Sequence, residues 1–373
     1  MKMDAVAQER IEPNTIRRRG VGLRGHDAAR AFPGFTRFAP DGKPDRKTVY
    51  LIDMQGTVAH PWEMPFAVGL TAFLTDRGTL VYNGFVPNPR RAGMTFVGGV
   101  VMEVDWKGRV LCELKHPDHH HDGIRLRNGN VLLICAKPLS EEIASRIRGG
   151  RPGTEGDNGT IYGDYLVEMT VSGAPVWEWR CWEHLDPVAD GITAVQDERD
   201  AWPMANGVSE MPDGNILLSF RANSTVVMIE RRTGAVYWKL GAPPLSGQHA
   251  PHLLPNGHLL LFDNAPHRLD HSFPFSRVIE IDPATKEIVW KYQDNPVWNF
   301  YSPRISNAQR LPNGNTLINE GSFGRFFEVT PEGDVVWEYV NPHFVGPPKA
   351  QHNRVARAYR YSAEQIARAR AAM

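Results

Sequence analysis

The sequence predicts an all-β fold, a six-bladed β-propeller, with seven blades as the alternative count. Three observations lead to this prediction. Glycine (34) and proline (29) are spread along the 373 residues as turn punctuation rather than gathered into one linker. Two short phrases that are typical of strands joined by tight turns recur along the chain. Helical periodicity is confined to SAEQIARARAAM at residues 362–373, apart from one candidate helical turn at LSEEIASRI.

The first phrase is a turn followed by an apolar strand. In four of its five copies an Asn-Gly or Asp-Gly pair supplies the positive φ angles of a hairpin turn, and the apolar run is the next strand. The copies begin at residues 74, 126, 211, 254 and 311 and read LTDRGTLVYNG, LRNGNVLLIC, MPDGNILLSF, LPNGHLLLFDN and LPNGNTLINEG.

The second phrase is a strand, a turn and another strand, which in most copies ends in an aromatic residue. It occurs six times at intervals of about 50 to 65 residues, and two hairpins per repeat are typical of a four-stranded propeller blade. We expect its tryptophans to pack between blades. The copies begin at residues 51, 102, 167, 228, 280 and 328 and read LIDMQGTVAHPW, MEVDWKGRVLCEL, VEMTVSGAPVWEW, MIERRTGAVYWKL, EIDPATKEIVWKY and EVTPEGDVVWEYV.

The phrases set the predicted domain boundaries. Residues 46–340 form the propeller, and residues 1–45 form an N-terminal extension that caps it or adds an outer strand. Residues 341–373 form a tail that ends in the short helix.

Composition excludes several functional classes. Lys plus Arg equals Asp plus Glu at 42 each, so the chain lacks the positive field that nucleic-acid binding needs. No run of about 18 apolar residues predicts a membrane helix, and the N-terminus carries basic residues without the apolar segment of an export signal. Three cysteines without CxxC spacing argue against a disulfide framework. These features predict a soluble cytoplasmic protein, and they say nothing of its oligomeric state.

Polar residues precede several copies of the first phrase, where innermost strands should begin at one mouth of the central channel. The phrase GxSxG, a phosphate-binding GxxxxGK[ST] and HExxH are all absent, and the charged run at residues 197–200 is expected to be a solvated loop. The candidates before the phrases are His120, His121, Trp202, Asn206, His249, His252 and Tyr301, and Arg221 and Arg325 follow strands. Of these, we expect Asn206, Trp202, His252, Tyr301 and Arg325 to bind substrate.

Two interpretations of the histidines remain open on the residues alone. An imidazole can act as a nucleophile or base near neutral pH while arginines bind an anionic ester. Alternatively, neutral imidazoles of His120, His121, His249 and His352 could hold a divalent metal.

These phrases also resemble the bacterial arylsulfotransferase family. The resemblance covers about residues 33–345 and rests on PGFTRFAP, VYLIDMQGTVAHPWEMP, HHHDGIRLRNGN, WPMANGVSEMPDGNILLSFR, SGQHAPHLLPNGHLLLFDN and AQRLPNGNTLINEGSFGRFFEVTPEGDVVWEYVNP. It implies a six-bladed propeller that moves a sulfuryl group from an aryl sulfate to a phenol by a ping-pong mechanism. No nucleotide donor or other cofactor is implied, and the expected partner is a small aromatic substrate.

The resemblance also implies roles for matching residues. His249 in the QH phrase would be the nucleophile, Arg221 would bind sulfate oxygens, and His120 or His121 would stabilise the transferring group. The family pattern usually has histidine where this chain has Met204, which can neither donate to a sulfate oxygen nor take a proton.

Two other functions are carried as alternatives on the same scaffold. One is a metal-dependent hydrolase or lyase that uses the central histidines, for which three ligands would suffice. The other is a non-enzymatic propeller that binds a partner on one face.

Overall fold

A computed structural model describes residues 20–41, 46–87, 98–268 and 270–371. They form six antiparallel sheets, which we number as blades I to VI in chain order. Strand β1 (Gly22–His26) comes before the blades. Blade I contains β2 (Phe35–Pro40), β3 (Thr48–Ile52) and β4 (Val58–Glu63). Blade II contains β5 (Ala67–Leu74), β6 (Leu80–Phe85), β7 (Gly99–Val104) and β8 (Val110–Lys115).

In blades III and IV, as in blade II, the strands follow chain order from the innermost strand at the channel to the outermost strand. Blade III contains β9 (His119–Arg125), β10 (Val131–Pro138), β11 (Tyr162–Met169) and β12 (Pro175–Arg180), and short β13 (Ala201–Trp202) runs parallel to β11. Blade IV contains β14 (Ala205–Glu210), β15 (Ile216–Phe220), β16 (Thr225–Ile229) and β17 (Val236–Leu240).

The last two blades complete the ring. Blade V contains β18 (His249–Leu253), β19 (Leu259–Asp263), β20 (Arg277–Ile281) and β21 (Ile288–Tyr292). Blade VI contains β22 (Asn307–Arg310), β23 (Thr316–Glu320), β24 (Arg325–Val329) and β25 (Val335–Val340), and β26 (Val355–Tyr361) follows it. The helices are α1 (Glu141–Ala144) and α2 (Ala363–Ala371), and 3₁₀ turns lie at Asp157–Gly159, Cys181–Glu183, Val297–Asn299 and Gly321–Phe323.

The innermost strands β26, β5, β9, β14, β18 and β22 contact one another in a closed circle around the channel. This arrangement confirms the predicted six-bladed propeller. Apolar side chains from facing blades fill the space between sheets, as where Leu166 of blade III packs with Leu218 of blade IV. Closing the sheets into a ring leaves few open edges for other chains.

The ring is closed by chain segments that the sequence assigned to the extensions. β26 is the innermost strand of blade I and pairs with β2, with Phe35 opposite Tyr361. β1 is a fifth, outermost strand of blade VI and pairs with β25. The predicted boundaries at residues 45 and 341 therefore do not coincide with the ends of the propeller, because both extensions supply blade strands.

The same closure explains why one phrase has five copies and the other six. The five-copy phrase joins the innermost strand of a blade to the next strand outward, and the six-copy phrase joins the two strands that follow. In blade I the innermost strand comes from the other end of the chain, so no turn connects it to β2.

At five of the six junctions between blades, a tryptophan side chain forms a hydrogen bond to the neighbouring blade. Each indole N–H donates to a carbonyl in the turn of the next blade, and the distances run from 2.8 Å for Trp238 to 3.3 Å for Trp62. These bonds join Trp62 to Asp105, Trp179 to Gly234, Trp238 to Pro283, Trp290 to Pro331 and Trp337 to Met54. The tryptophans of the second phrase therefore pack between blades.

The cysteines and the helices bear on two predictions made from composition. All three cysteines are free thiols, and two of them are buried. Within the four described ranges, neither helix has the length and apolar character needed to cross a bilayer.

Candidate functional site at the channel mouth

The innermost strands of blades III, IV and V are irregular at the point where they reach the channel mouth. The pairing register shifts between Leu133 and Cys135 in blade III, and again at the starts of β14 and β18. Left-handed φ angles accompany the shifts, 55° at His121, 69° at Met204 and 53° at Ala250. Such bulges redirect side chains, and here they break the strand alternation beside the candidate residues.

His249 begins β18 and is 4% exposed. Its Nδ1 lies 2.8 Å from Asn264 Oδ1 and 3.1 Å from the Gly247 carbonyl. Because both partners are acceptors, Nδ1 carries the proton. Nε2 then keeps its lone pair, and it accepts a hydrogen bond of 3.2 Å from the Ile305 amide.

The surroundings of His249 favour its neutral form. Burial, and then the positive charge of Arg357, hold the pKa of His249 well below its usual 6.5, and Arg221 and His121 lower it further. The Asn264 hydrogen bond acts in the opposite direction. At neutral pH the imidazole is therefore an uncharged base with one available lone pair.

His120 and His121 form a second histidine site on blade III. Their Nδ1 atoms lie 2.7 Å apart, so one imidazole donates to the other. His120 Nε2 lies 2.9 Å from Asp164 Oδ1, and the other carboxylate oxygen accepts from the Ala205 amide at 2.8 Å. Burial raises the pKa of Asp164 to about 7, against the lowering effect of backbone N–H groups.

Arg221 follows β15 and is held by a carboxylate. Its two terminal nitrogens lie 3.2 and 3.3 Å from the oxygens of Asp197. Asp197 also lies 2.9 Å from His267 Nε2, and these two partners keep the pKa of Asp197 below its usual value despite burial. The guanidinium is thus fixed in direction, and it acts electrostatically on His249.

Arg357 of β26 is a site residue that the sequence analysis missed. Its guanidinium donates to the carbonyls of Ser306 at 2.6 Å and Asn206 at 3.3 Å. It therefore joins β14 of blade IV to the residue before β22 of blade VI, the blades on either side of blade V. Asn206 Nδ2 in turn donates 2.7 Å to the carbonyl of Gln248. Two features of the sequence could have indicated Arg357. The tail segment VARAYRY alternates like a strand, and the turn phrase lacks a sixth copy.

Two predicted substrate-binding residues have structural roles instead. Trp202 is 0% exposed and donates 2.7 Å to the Asp190 carbonyl, so its ring is part of the core. Arg325 lies between Glu338 at 2.7 Å and Glu320 at 3.1 Å, and this buried ion pairing compensates its charge. The fold places these side chains inside and between sheets, and the contacts there account for both residues without a substrate.

The other predicted residues each have contacts of their own. His252 is on β18, where Nδ1 is 3.3 Å from the Ala250 carbonyl and burial lowers its pKa. The backbone amide of Tyr301 donates to Glu320. His352 pairs with Arg354 at 2.9 Å and does not join His120, His121 and His249. Across the ranges that the structure describes, no three His, Cys, Asp or Glu side chains are grouped as metal ligands.

A cavity of about 270 Å³ opens beside Arg221 and Met204. Residues 139–161 and 181–200, which we call the blade III insert, form part of its wall, and Gly149 pairs with Ile192 within the insert. The run at residues 197–200 is therefore only partly solvated, because Glu198 is exposed while Asp200 is buried against the cavity. The cavity is lined by Arg151, Gln196, Asp197, Glu198, Asp200, Ala201, Met204, Arg221, Ala222 and Arg304.

Comparison with known proteins shows the family to which the chain belongs. The chain is 23% identical to arylsulfate sulfotransferase AssT of Escherichia coli O6:H1 (strain CFT073) over 75% of its length, and it spans 58% of that relative. A crystal structure of a protein of unknown function from Bacteroides caccae shares the fold, with a TM-score of 0.54, 13% identity and coverage of 88% of this chain and 98% of the other. The family model described as arylsulfotransferase (ASST) matches residues 34–245 and 244–341. The chain belongs to the arylsulfotransferase family.

Proposed function

We propose that the protein transfers a sulfuryl group from an aryl sulfate to a phenolic acceptor through a sulfo-histidine at His249. The observation that carries the proposal is the state of this imidazole. It is buried and neutral, its proton is held on Nδ1 by Asn264, and its Nε2 lone pair lies among cationic groups. A neutral nitrogen nucleophile near fixed positive charge suits attack on an anionic sulfate ester.

The first half-reaction follows from this arrangement. Nε2 of His249 attacks sulfur, the bond between sulfur and the aryl oxygen breaks, and the phenolate leaves with the electron pair. Attack requires Nε2 to give up its hydrogen bond from Ile305. Arg221 and Arg357 offset the negative charge on the sulfuryl oxygens, and Asn264 stabilises the positive charge that develops on the ring.

The second half-reaction returns the enzyme to its starting state. A phenolic oxygen attacks sulfur, the N–S bond breaks, and neutral His249 is restored. The phenol must lose its proton during this step. No nucleotide or metal is required in this scheme.

The test is nitrophenol release from 4-nitrophenyl sulfate, with and without phenol, in wild type and His249→Ala. We expect phenol-dependent release that resists chelators and falls on the order of 10³-fold or more in the variant. His258→Ala is the matched control, because His258 lies in the turn before β19 and contacts Glu280. Release that survives in His249→Ala would contradict the proposal, and release that needs an added divalent metal would favour the hydrolase or lyase alternative.

A further inference from the structure

The second half-reaction of the proposed function, on which this inference rests, leaves the phenol proton without an acceptor. Met204 lines the cavity beside Arg221, and a thioether takes no proton. A base elsewhere in the cavity is therefore needed for phenols that are protonated at neutral pH.

Three carboxylates line the cavity, and two of them are already engaged. Asp197 is shared between Arg221 and His267. Glu198 is exposed and lies 3.6 Å from Arg151. Asp200 has no ion pair within the part of the chain that the structure describes. It is 8% exposed and lines the same cavity as Met204 and Arg221.

The position of Asp200 is rigidly set by the blade III insert. Its carbonyl accepts 2.9 Å from the Tyr162 amide, where β13 begins beside β11. The preceding Arg199 is bonded to Glu155 at 2.8 Å and to the Ile147 carbonyl at 3.1 Å. These contacts anchor the backbone around Asp200, and Asp200 lines the cavity from this anchored segment.

The electrostatic setting gives Asp200 a suitable affinity for a proton. Burial, and then the neighbouring negative charge of Glu198, raise the pKa of Asp200 to about 6, against lowering by backbone N–H groups and Arg221. The other charged groups facing the cavity are Asp197, Arg151 and Arg304. At pH 7 the group is mostly ionised, and it binds a proton far better than an exposed aspartate does.

We propose that Asp200, which lines the cavity with Arg221, is the general base of the acceptor half-reaction. As the phenolic oxygen forms its bond to sulfur and the N–S bond to His249 breaks, the phenol proton moves to the Asp200 carboxylate. It then passes to solvent at the cavity mouth. The reverse reaction would use protonated Asp200 to protonate a basic leaving phenolate.

The experiment separates the two half-reactions in Asp200→Asn. The nitrophenol burst without acceptor measures the first step, and we expect it to be unchanged, because nitrophenolate needs no proton to leave. With phenol as acceptor we expect the second step to slow on the order of 10²-fold. The loss should shrink for acidic phenols that are already ionised at the assay pH.

Two further variants make this test specific. Asp213→Asn is the matched control, because the equivalent turns of blades V and VI already have Asn256 and Asn313 at this position. Asp200→Glu keeps a carboxylate, and we expect it to recover most of the acceptor step. In wild type, the rate of the acceptor step should increase as pH rises through about 6. The rate of the nitrophenol burst should not show this increase.

Each outcome is decisive. An acceptor step in Asp200→Asn equal to wild type for all phenols would overturn the proposal, as would an equal loss in the burst and the acceptor step. If wild type gives no nitrophenol at all, the proposed sulfuryl transfer fails, and the assignment of Asp200 fails with it. If Asp200→Asn does not fold, the wild-type pH profiles and Asp200→Glu decide the question.

Discussion

His249 of blade V and His120 of blade III are both buried at the start of an innermost strand, yet their surroundings have opposite charge. His249 contacts an amide oxygen, and the positive charges of Arg357 and Arg221 lower its pKa. His120 lies 2.9 Å from the carboxylate of Asp164. The same residue type is therefore kept unprotonated in one blade and supplied with an acidic partner in the other.

This difference shows that position in a propeller repeat does not determine chemistry. Both strands begin at the same mouth and both carry bulges, but the residue facing the imidazole differs. Asn264 comes from the loop after β19 of the same blade, and Asp164 comes from β11. Three substitutions test the contrast, beginning with the one of largest expected effect.

Asn264→Asp would give His249 a carboxylate partner like that of His120. An anion 2.8 Å from Nδ1 raises the pKa of His249 by about 1 to 3 units, so the imidazole becomes protonated at acidic pH. We expect the nitrophenol burst to fall on the order of 10²-fold at pH 5 and to recover above pH 8. Asn313→Asp, in an exposed turn of blade VI, is the control, and an unshifted pH profile in Asn264→Asp would refute the contrast.

Arg357→Met would remove the cation that contributes most to the neutral state of His249. The carbonyls of Ser306 and Asn206 lose a donor, and buried Asp122 loses an opposite charge. We expect a loss of about 3 kcal/mol in the free energy of unfolding, measured by urea denaturation. The pKa of His249, followed by NMR, should rise toward 6.5, and a fall would contradict the assigned role.

Asp164→Asn addresses the other site through the pH dependence of stability. A carboxyl group whose pKa rises from 3.8 unfolded to about 7 folded makes the protein less stable as pH increases through that window. We expect wild type to lose on the order of 2 kcal/mol between pH 4 and pH 7, and the variant to lose less. The free energy of unfolding is measured at several pH values for both proteins. An equal change with pH in wild type and variant would show that Asp164 ionises normally and would contradict the prediction.

Much of the fold could be predicted because turn chemistry is local. An Asn-Gly or Asp-Gly pair favours a hairpin wherever it occurs. The six copies of the strand-turn-strand phrase predicted the six blades that the structure has. The predicted C-terminal helix likewise appears as α2. The outer strand expected from the N-terminal extension corresponds to β1 of blade VI. The sequence did not indicate that β26 completes blade I, since pairing between Phe35 and Tyr361 joins residues at opposite ends of the chain.

The candidate site was predicted unevenly for the same reason. His249, Arg221, Asn206, His120 and His121 were recognisable because they precede or follow a repeated phrase, and their roles stay predictions. Trp202 and Arg325 occupy equally conspicuous places in the sequence, but one is packed in the core and the other is neutralised by two glutamates. Which face a side chain occupies depends on bulges that single-sequence periodicity does not reveal.

The amino-acid sequence by itself determined the repeat, the number of blades and the set of histidines and arginines near the channel, because turns and strand alternation depend on neighbouring residues. Only the tertiary structure decided which groups meet. Arg357 reaches His249 through ring closure, Asp164 reaches His120 across a blade, and the insert brings Asp200 beside Met204. Burial and charge act through space, so the protonation state of each group followed from contacts between distant parts of the chain.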